Sequence, residues 1–201
     1  MSLVFAMKTM KFFLSGLFLL LASTAYPQLF TTIQWQDSPN RAASDTIYYN
    51  PQSKLLWNDF RGDPDRRSIA AAITASGFGY TMAMRSRGGK ATLVLTVYCF
   101  FNKQNSWVKS GMKSNYALLH EQHHFDITYI AASSFVKKLK STSFTLSNYE
   151  ALLDKLYTDS YNDLEKMQND YDGQTKNGQL ADVQANWNKR VDQQLSSLVI
   201  D

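Results

Sequence analysis

Leu118-Leu119-His120-Glu121-Gln122-His123-His124-Phe125-Asp126-Ile127 holds all three histidines of a 201-residue chain within five consecutive positions. The run lies in a pattern that predicts a helix from Asn115 to about Lys140, with Ser114 as a good N-cap. Helical periodicity puts His120 and His124 one turn apart on one face, where both imidazoles can reach a single cation. Glu121 follows about 100° round the helix, placed to address a water on that cation rather than the cation itself. This is the H-E-x-x-H arrangement of zinc hydrolases. Two neutral imidazoles and a third ligand suit zinc and leave a position for water, whose pKa then falls to about 7. A carboxylate at Glu121 can take the proton as general base. The flanks, Tyr116 to Leu119 and Phe125 to Ala132, are largely apolar, and polar groups set into such a helix cost free energy unless they are paired. His123 falls on the far side of His120 from Glu121 and reads as a supporting or surface residue rather than a ligand. Asp126 falls opposite the histidine pair and reads as a partner for a neighbouring loop or for His123.

Upstream of this helix the sequence reads as strands. Phe30 to Trp35 forms a short first one, and Ser38 to Pro51 is polar and turn-rich. Leu55-Leu56-Trp57-Asn58-Asp59-Phe60-Arg61-Gly62 sets large apolar groups against a turn. Ile69 to Met84 alternates well enough for a strand bent at Gly77 or Gly79. Gly88-Gly89 is the clearest hairpin signal, because Ala91 to Phe101 has strong β propensity. Cys99, the single cysteine, sits in that last run and reads as a buried small residue, with no disulfide available within the chain. Leu93 to Phe101 is also a candidate edge strand for pairing with an extended substrate, or else a buried member of the sheet.

Downstream the pattern is helical. Ser147 with Glu150 three residues on predicts a capping box for a helix from about Asn148 to Tyr171, with an apolar face through Leu152, Leu153, Leu156, Leu164 and Met167. Gly173 and Gly178 bracket a predicted loop, Asp172 to Gly178. A last amphipathic helix carries Leu180, Val183, Trp187, Val191, Leu195 and Leu198. Strands first and helices afterwards predict an α+β fold: an antiparallel sheet from the N-terminal half, packed by the histidine helix and two further C-terminal helices.

Lys8 and Lys11 precede an apolar run from Phe12 to Leu21, and Ala22-Ser23-Thr24-Ala25 follows it. This predicts a signal peptide over residues 1–25, too short in its apolar run for a spanning helix, and a single domain over residues 26–201 that is secreted or periplasmic. The formal charge is +4, and without residues 1–25 the 19 basic and 17 acidic residues leave +2. That balance, without a basic stripe, does not describe a nucleic-acid binder. No stable membrane insertion is expected once the leader is removed.

The chain resembles a bacterial family of otherwise uncharacterised proteins described as predicted secreted zinc-dependent proteases. The resemblance lies in Leu56-Trp57-Asn58-Asp59-Phe60-Arg61-Gly62, in Ser106-Trp107-Val108-Lys109 and above all in Leu118 to Ile127. It continues in Tyr171-Asp172-Gly173-Gln174-Thr175, with Gln184 and Trp187 beyond. The family implies a compact zincin-like domain, zinc as cofactor and a peptide or protein as substrate. In the family a histidine often follows the threonine of the loop, whereas the corresponding place here is Asn177.

With no fourth histidine, the third ligand must be a carboxylate or His123. Glu150 is accounted for by its capping box, and Glu165 turns to solvent on the helical wheel. Asp163 projects onto the face of Leu152 and Leu156, and Asp172 sits in the loop that the resemblance singles out. The expected metal site is therefore His120, His124 and Asp172, with Asp163 the alternative to Asp172 and Glu121 the catalytic base. The expected function is that of a zinc-dependent hydrolase, a metallopeptidase. The alternative is a non-catalytic envelope or extracellular binding module that keeps a structural metal.

Overall fold

The computed structural model describes residues 29–36, 44–88 and 90–198. The predicted leader lies outside them. Six strands come first: β1 (Phe30–Trp35), β2 (Thr46–Tyr48), β3 (Ala72–Ile73), β4 (Ser76–Arg87), β5 (Lys90–Asn102) and β6 (Trp107–Val108). Three helices follow, α1 (Asn115–Lys140), α2 (Tyr149–Thr175) and α3 (Ala181–Leu198), so the fold is α+β. No helix among the described residues is long and apolar enough to cross a membrane.

β5 is the centre of the sheet. Its alternate residues Leu93, Leu95, Val97 and Phe101 are fully buried, each stabilising the fold by roughly 1.5–3 kcal/mol. β4 runs antiparallel along one edge of β5, from Ser76 opposite Phe101 to Arg87 opposite Lys90. The other edge is shared: β1 pairs with residues 92–97 and β2 with residues 100–102. The predicted hairpin thus forms at Gly88, whose φ of 58° suits glycine.

The sheet departs from the expected one in its strand direction and in where its strands break. β1 pairs with β5 in parallel, so the sheet is mixed rather than antiparallel. A parallel pair needs a long connection, and β2, β3 and β4 lie between these two strands; hydrophobic alternation specifies faces and not direction. Of the two readings of Leu93 to Phe101, the buried member of the sheet holds and the edge strand does not, because β5 is paired on both sides. The strand expected over Ile69 to Met84 is interrupted at Thr74-Ala75, not at a glycine, and β3 leaves the main sheet to pair with β6. Gly77 and Gly79 instead make room for cross-strand rings: a Cβ there would stand 3.0 Å from the Phe100 ring and 2.7 Å from the Tyr98 hydroxyl respectively.

α1 begins where its N-cap places it, with Ser114 Oγ accepting a hydrogen bond from the Ala117 amide at 3.0 Å. It is buried on most of its circumference. Phe125 meets Phe101, and Phe135 meets Phe78 and Tyr80 of the sheet. Gln122 and Asp126 turn to the segment before the Trp57–Asp59 turn. There Asp126 accepts bonds from Tyr49 at 2.8 Å and Lys54 at 3.4 Å, which is the neighbouring-loop role read for it. Asp126 also accepts from Gln122, which in turn accepts from the Leu55 amide. Tyr171 of α2 and Trp187 of α3 meet edge to face, their centroids 5.4 Å apart, beside the histidines.

α2 starts at Tyr149 with Asn148 as N-cap, which makes Glu150 the second helical residue rather than the third. The expected capping box is therefore absent: Ser147 bonds Thr145, and Glu150 accepts from Tyr149. The helix also runs past Tyr171 to Thr175, so Asp172 lies on its last turn and not in a loop. A single glycine costs a helix about 1 kcal/mol, and Gly173 is carried through. The stop comes at Lys176, Asn177 and Gly178, with φ of 50°, 53° and 78°.

Phe135 is fully buried between the sheet and Tyr157 of α2. Phe135→Ala is expected to cost about 3–5 kcal/mol in a urea unfolding experiment. A loss under about 1 kcal/mol would show that this junction does not anchor α1.

Candidate metal centre

Tyr116, His120 and His124 form one face of α1, each one turn from the next. The imidazoles of His120 and His124 turn their Nε2 atoms toward one another, 3.2 Å apart. Asp172 Oδ1 lies 3.2 Å from Nε2 of His120 and 3.0 Å from Nε2 of His124. These three side chains form a group able to hold a metal ion.

The other ring nitrogen of each histidine is engaged by a glutamine. His120 Nδ1 lies 2.8 Å from Gln184 Oε1 of α3, and His124 Nδ1 bonds Gln168 Oε1 of α2. Both amides are oriented by further bonds. Gln168 Nε2 donates to the His124 carbonyl at 2.9 Å and to Thr128 at 3.2 Å. Gln184 Nε2 donates to Asn188 Oδ1 at 2.6 Å and to the Tyr171 hydroxyl. With each amide oxygen thus facing an imidazole, each Nδ1 must carry the proton. Both Nε2 atoms then present lone pairs to each other and to a carboxylate oxygen.

Three acceptors in mutual contact repel unless a proton or a cation stands between them. The spacing suits a cation. Bonds of about 2.0–2.1 Å to a tetrahedral ion put ligand atoms roughly 3.3 Å apart. Neutral imidazole and carboxylate are also the donors that zinc accepts, and the outer hydrogen bonds are those that orient metal-bound histidines.

Charge follows the same logic. Burial lowers the His124 pKa, but the Asp172 hydrogen bond, the Glu121 and Asp172 charges and the Gln168 bond outweigh it and leave it raised. Burial raises the Asp172 carboxyl, yet the hydrogen bonds and charges of His120 and His124 hold it well below the usual range.

Glu121 turns from the pair toward the β3–β4 junction. Thr74 donates to its Oε2 at 2.6 Å and also to its carbonyl at 3.1 Å. The strand break at Thr74-Ala75 is what brings this hydroxyl to the helix. Both Glu121 and the donor cluster line a cavity of about 580 Å³, as do Asn177 and Gln179.

Of the other residues considered as ligands, Asp163 lies on the surface, paired with Lys138 at 3.0 Å. His123 is neither a surface group nor part of the cluster. It is fully buried, with Nδ1 donating to the Leu119 carbonyl at 2.8 Å and Nε2 3.5 Å from Asp192 of α3. Glu165 stands exposed at the rim of the cavity.

The sequence assigns no site role to Gln168 or Thr74, names Gln184 only within the resemblance and Tyr171 there and as a helix end, and uses Gly178 only as a loop boundary. Gln184 had a signal, as a polar residue in the buried stripe of α3 between Val183 and Trp187. Gln168 stands one turn before Asp172 on the same face. Tyr171 stacks on His120 at 4.7 Å and meets His124 edge-on at 5.0 Å. Gly178 admits His120: a Cβ there would stand 3.3 Å from Nδ1, and the Gly178 carbonyl is tied to α1 by the Tyr116 hydroxyl at 2.6 Å. Comparison with protein-family models, curated proteins and solved structures found no match.

The shifts of His124 and Asp172 fix a stability profile for the metal-free protein. A raised histidine contributes fully below its ordinary pKa of 6.5 and loses that contribution as pH rises through the folded value. A depressed aspartate contributes above its ordinary 3.8 and loses it as pH falls toward the folded value. The pair therefore stabilises the metal-free protein most between those two values. Urea titrations across pH should show this window in the parent and a flatter profile in Asp172→Asn; identical profiles would contradict it.

Proposed function

We propose that this chain is a zinc-dependent peptidase of the cell envelope or the extracellular space, as its resemblance to predicted secreted zinc-dependent proteases implies. One observation carries the reading: two imidazole nitrogens and a carboxylate oxygen converge at 3.0–3.2 Å with their protons held on the far side of the rings. Asp172 supplies the third donor, so no histidine is needed at Asn177.

When bound, zinc supplies Lewis acidity that polarises a carbonyl oxygen and lowers the pKa of water to about 7. The protein's own groups do the rest. His120, His124 and Asp172 would hold the ion, at a site that lines the cavity. Glu121 takes a proton from water and returns it to the leaving amine. Thr74 occupies Oε2 of that carboxylate, which fixes its rotamer and leaves Oε1 for the proton. With β5 paired on both sides, the substrate edge is better sought at β3, whose Ala72 and Ile73 line the cavity.

Purified protein is expected to bind about one zinc per chain by metal analysis, with His120→Ala, His124→Ala and Asp172→Asn each losing most of it. His123→Ala should lower stability but keep the metal. If Asp172→Asn keeps its zinc, the proposed third ligand is wrong.

Glu121→Gln preserves shape and hydrogen bonding while removing the proton acceptor. Zinc content and melting temperature should hardly change, and kcat on a peptide substrate should fall roughly 10²- to 10⁴-fold. Full activity in this variant would sink the catalytic role of Glu121. A zinc-loaded parent that cleaves no peptide would favour a non-catalytic binding module with a structural metal.

A further inference from the structure

The walls of the cavity differ in chemistry. Along α2 and the turn after it stand Glu165, Gln168, Asp172, Asn177 and Gln179. The approach to β3 and the start of α1 present Ile69, Ile73, Met112 and Tyr116 instead. These four are 97, 40, 49 and 46 % exposed. Folding gains little from large apolar side chains left in water, and their grouping at one opening marks a surface meant to be covered.

The backbone beside them narrows the choice of occupant. The Ala71 carbonyl accepts from the Lys109 amide at 2.8 Å, so Ala71 and Ile73 address β6. Antiparallel alternation then turns the N–H and C=O of Ala72 to the opposite edge. An extended peptide can pair there and lay a side chain on the apolar group. Charge narrows it further, because Glu121, Glu165 and Asp172 line the same cavity and disfavour an acidic side chain.

We propose that the chain selects extended peptides with a bulky apolar side chain next to the bond to be cleaved, and that Ile69, Ile73, Met112 and Tyr116 form the subsite for it. The inference rests on the peptidase reading for its reaction, but its binding step can be tested alone. The probe is a set of fluorescein-labelled peptides of one length that differ only at a central Leu, Phe, Gly or Asp, titrated by anisotropy into the Glu121→Gln protein. Leu and Phe peptides should bind about tenfold or more tightly than Gly and Asp peptides. Adding Ile69→Ser with Ile73→Ser, or Met112→Ser from a different element, should shrink the preference to within about threefold. Met82→Ser, on β4 and outside the cavity, should leave it intact. Equal binding of all four peptides, or a preference unchanged by the cavity variants, would overturn the subsite. Preferential binding without cleavage by the zinc-loaded parent supports the subsite and sinks the peptidase reading. Cleavage without preference does the reverse.

Discussion

The hydrogen bond from each imidazole Nδ1 to a glutamine carbonyl is the constraint on which the centre depends. It decides the tautomer, and the tautomer decides that His120 and His124 face Asp172 with lone pairs rather than protons. The two glutamines come from different helices, Gln168 from α2 and Gln184 from α3. α1 therefore displays a working pair of nitrogens only when both other helices are docked on it. Local helix geometry brings the histidines together, and tertiary packing sets their chemistry.

Packing around the pair is correspondingly tight. Tyr171 fixes the plane of His120 by stacking and that of His124 by its edge, while its hydroxyl accepts from Gln184. Gly178 keeps the space beside His120 clear, in a left-handed turn that also ends α2 and tethers it to Tyr116. On the other side, Asp126 and Gln122 bind the segment from Tyr49 to Leu55, and the Phe125 and Phe135 rings seat α1 on β4 and β5. Gln122 and Asp126 are thus paired toward the segment before the Trp57–Asp59 turn and His120 and His124 toward α2 and α3, the first set seating the helix and the second setting the rings.

How much of this the sequence displays depends on the range of the interaction. Ser114 and the apolar periodicity place α1 over Asn115–Lys140, because a cap and a helical stripe are local properties. The histidine pair and the divergent Glu121 follow from the same 3.6-residue period. Strand direction is not local: Phe30 to Trp35 looks the same whether it pairs parallel or antiparallel with β5. Thr74 is equally silent, since its meeting with Glu121 depends on β3 leaving the sheet to join β6. Gly173 and Gly178 together predict a loop that begins at Asp172. In the fold the helix tolerates that glycine, and the carboxylate is aimed by an α-helical turn it shares with Gln168.

The choice of amides as outer partners has a consequence for the proposed chemistry. A carboxylate behind each imidazole would make the nitrogen more basic and add negative charge near the ion, both of which weaken its pull on a carbonyl. Neutral glutamines orient the rings without that cost. The charge nearest a divalent ion would then come from Asp172 and Glu121, two negative charges against two positive, with Glu165 exposed at the rim of the cavity. A centre balanced in this way would leave the approach along Ile69, Ile73, Met112 and Tyr116 to uncharged groups. That is the electrostatic setting in which an uncharged peptide bond with an apolar neighbour enters at least desolvation cost.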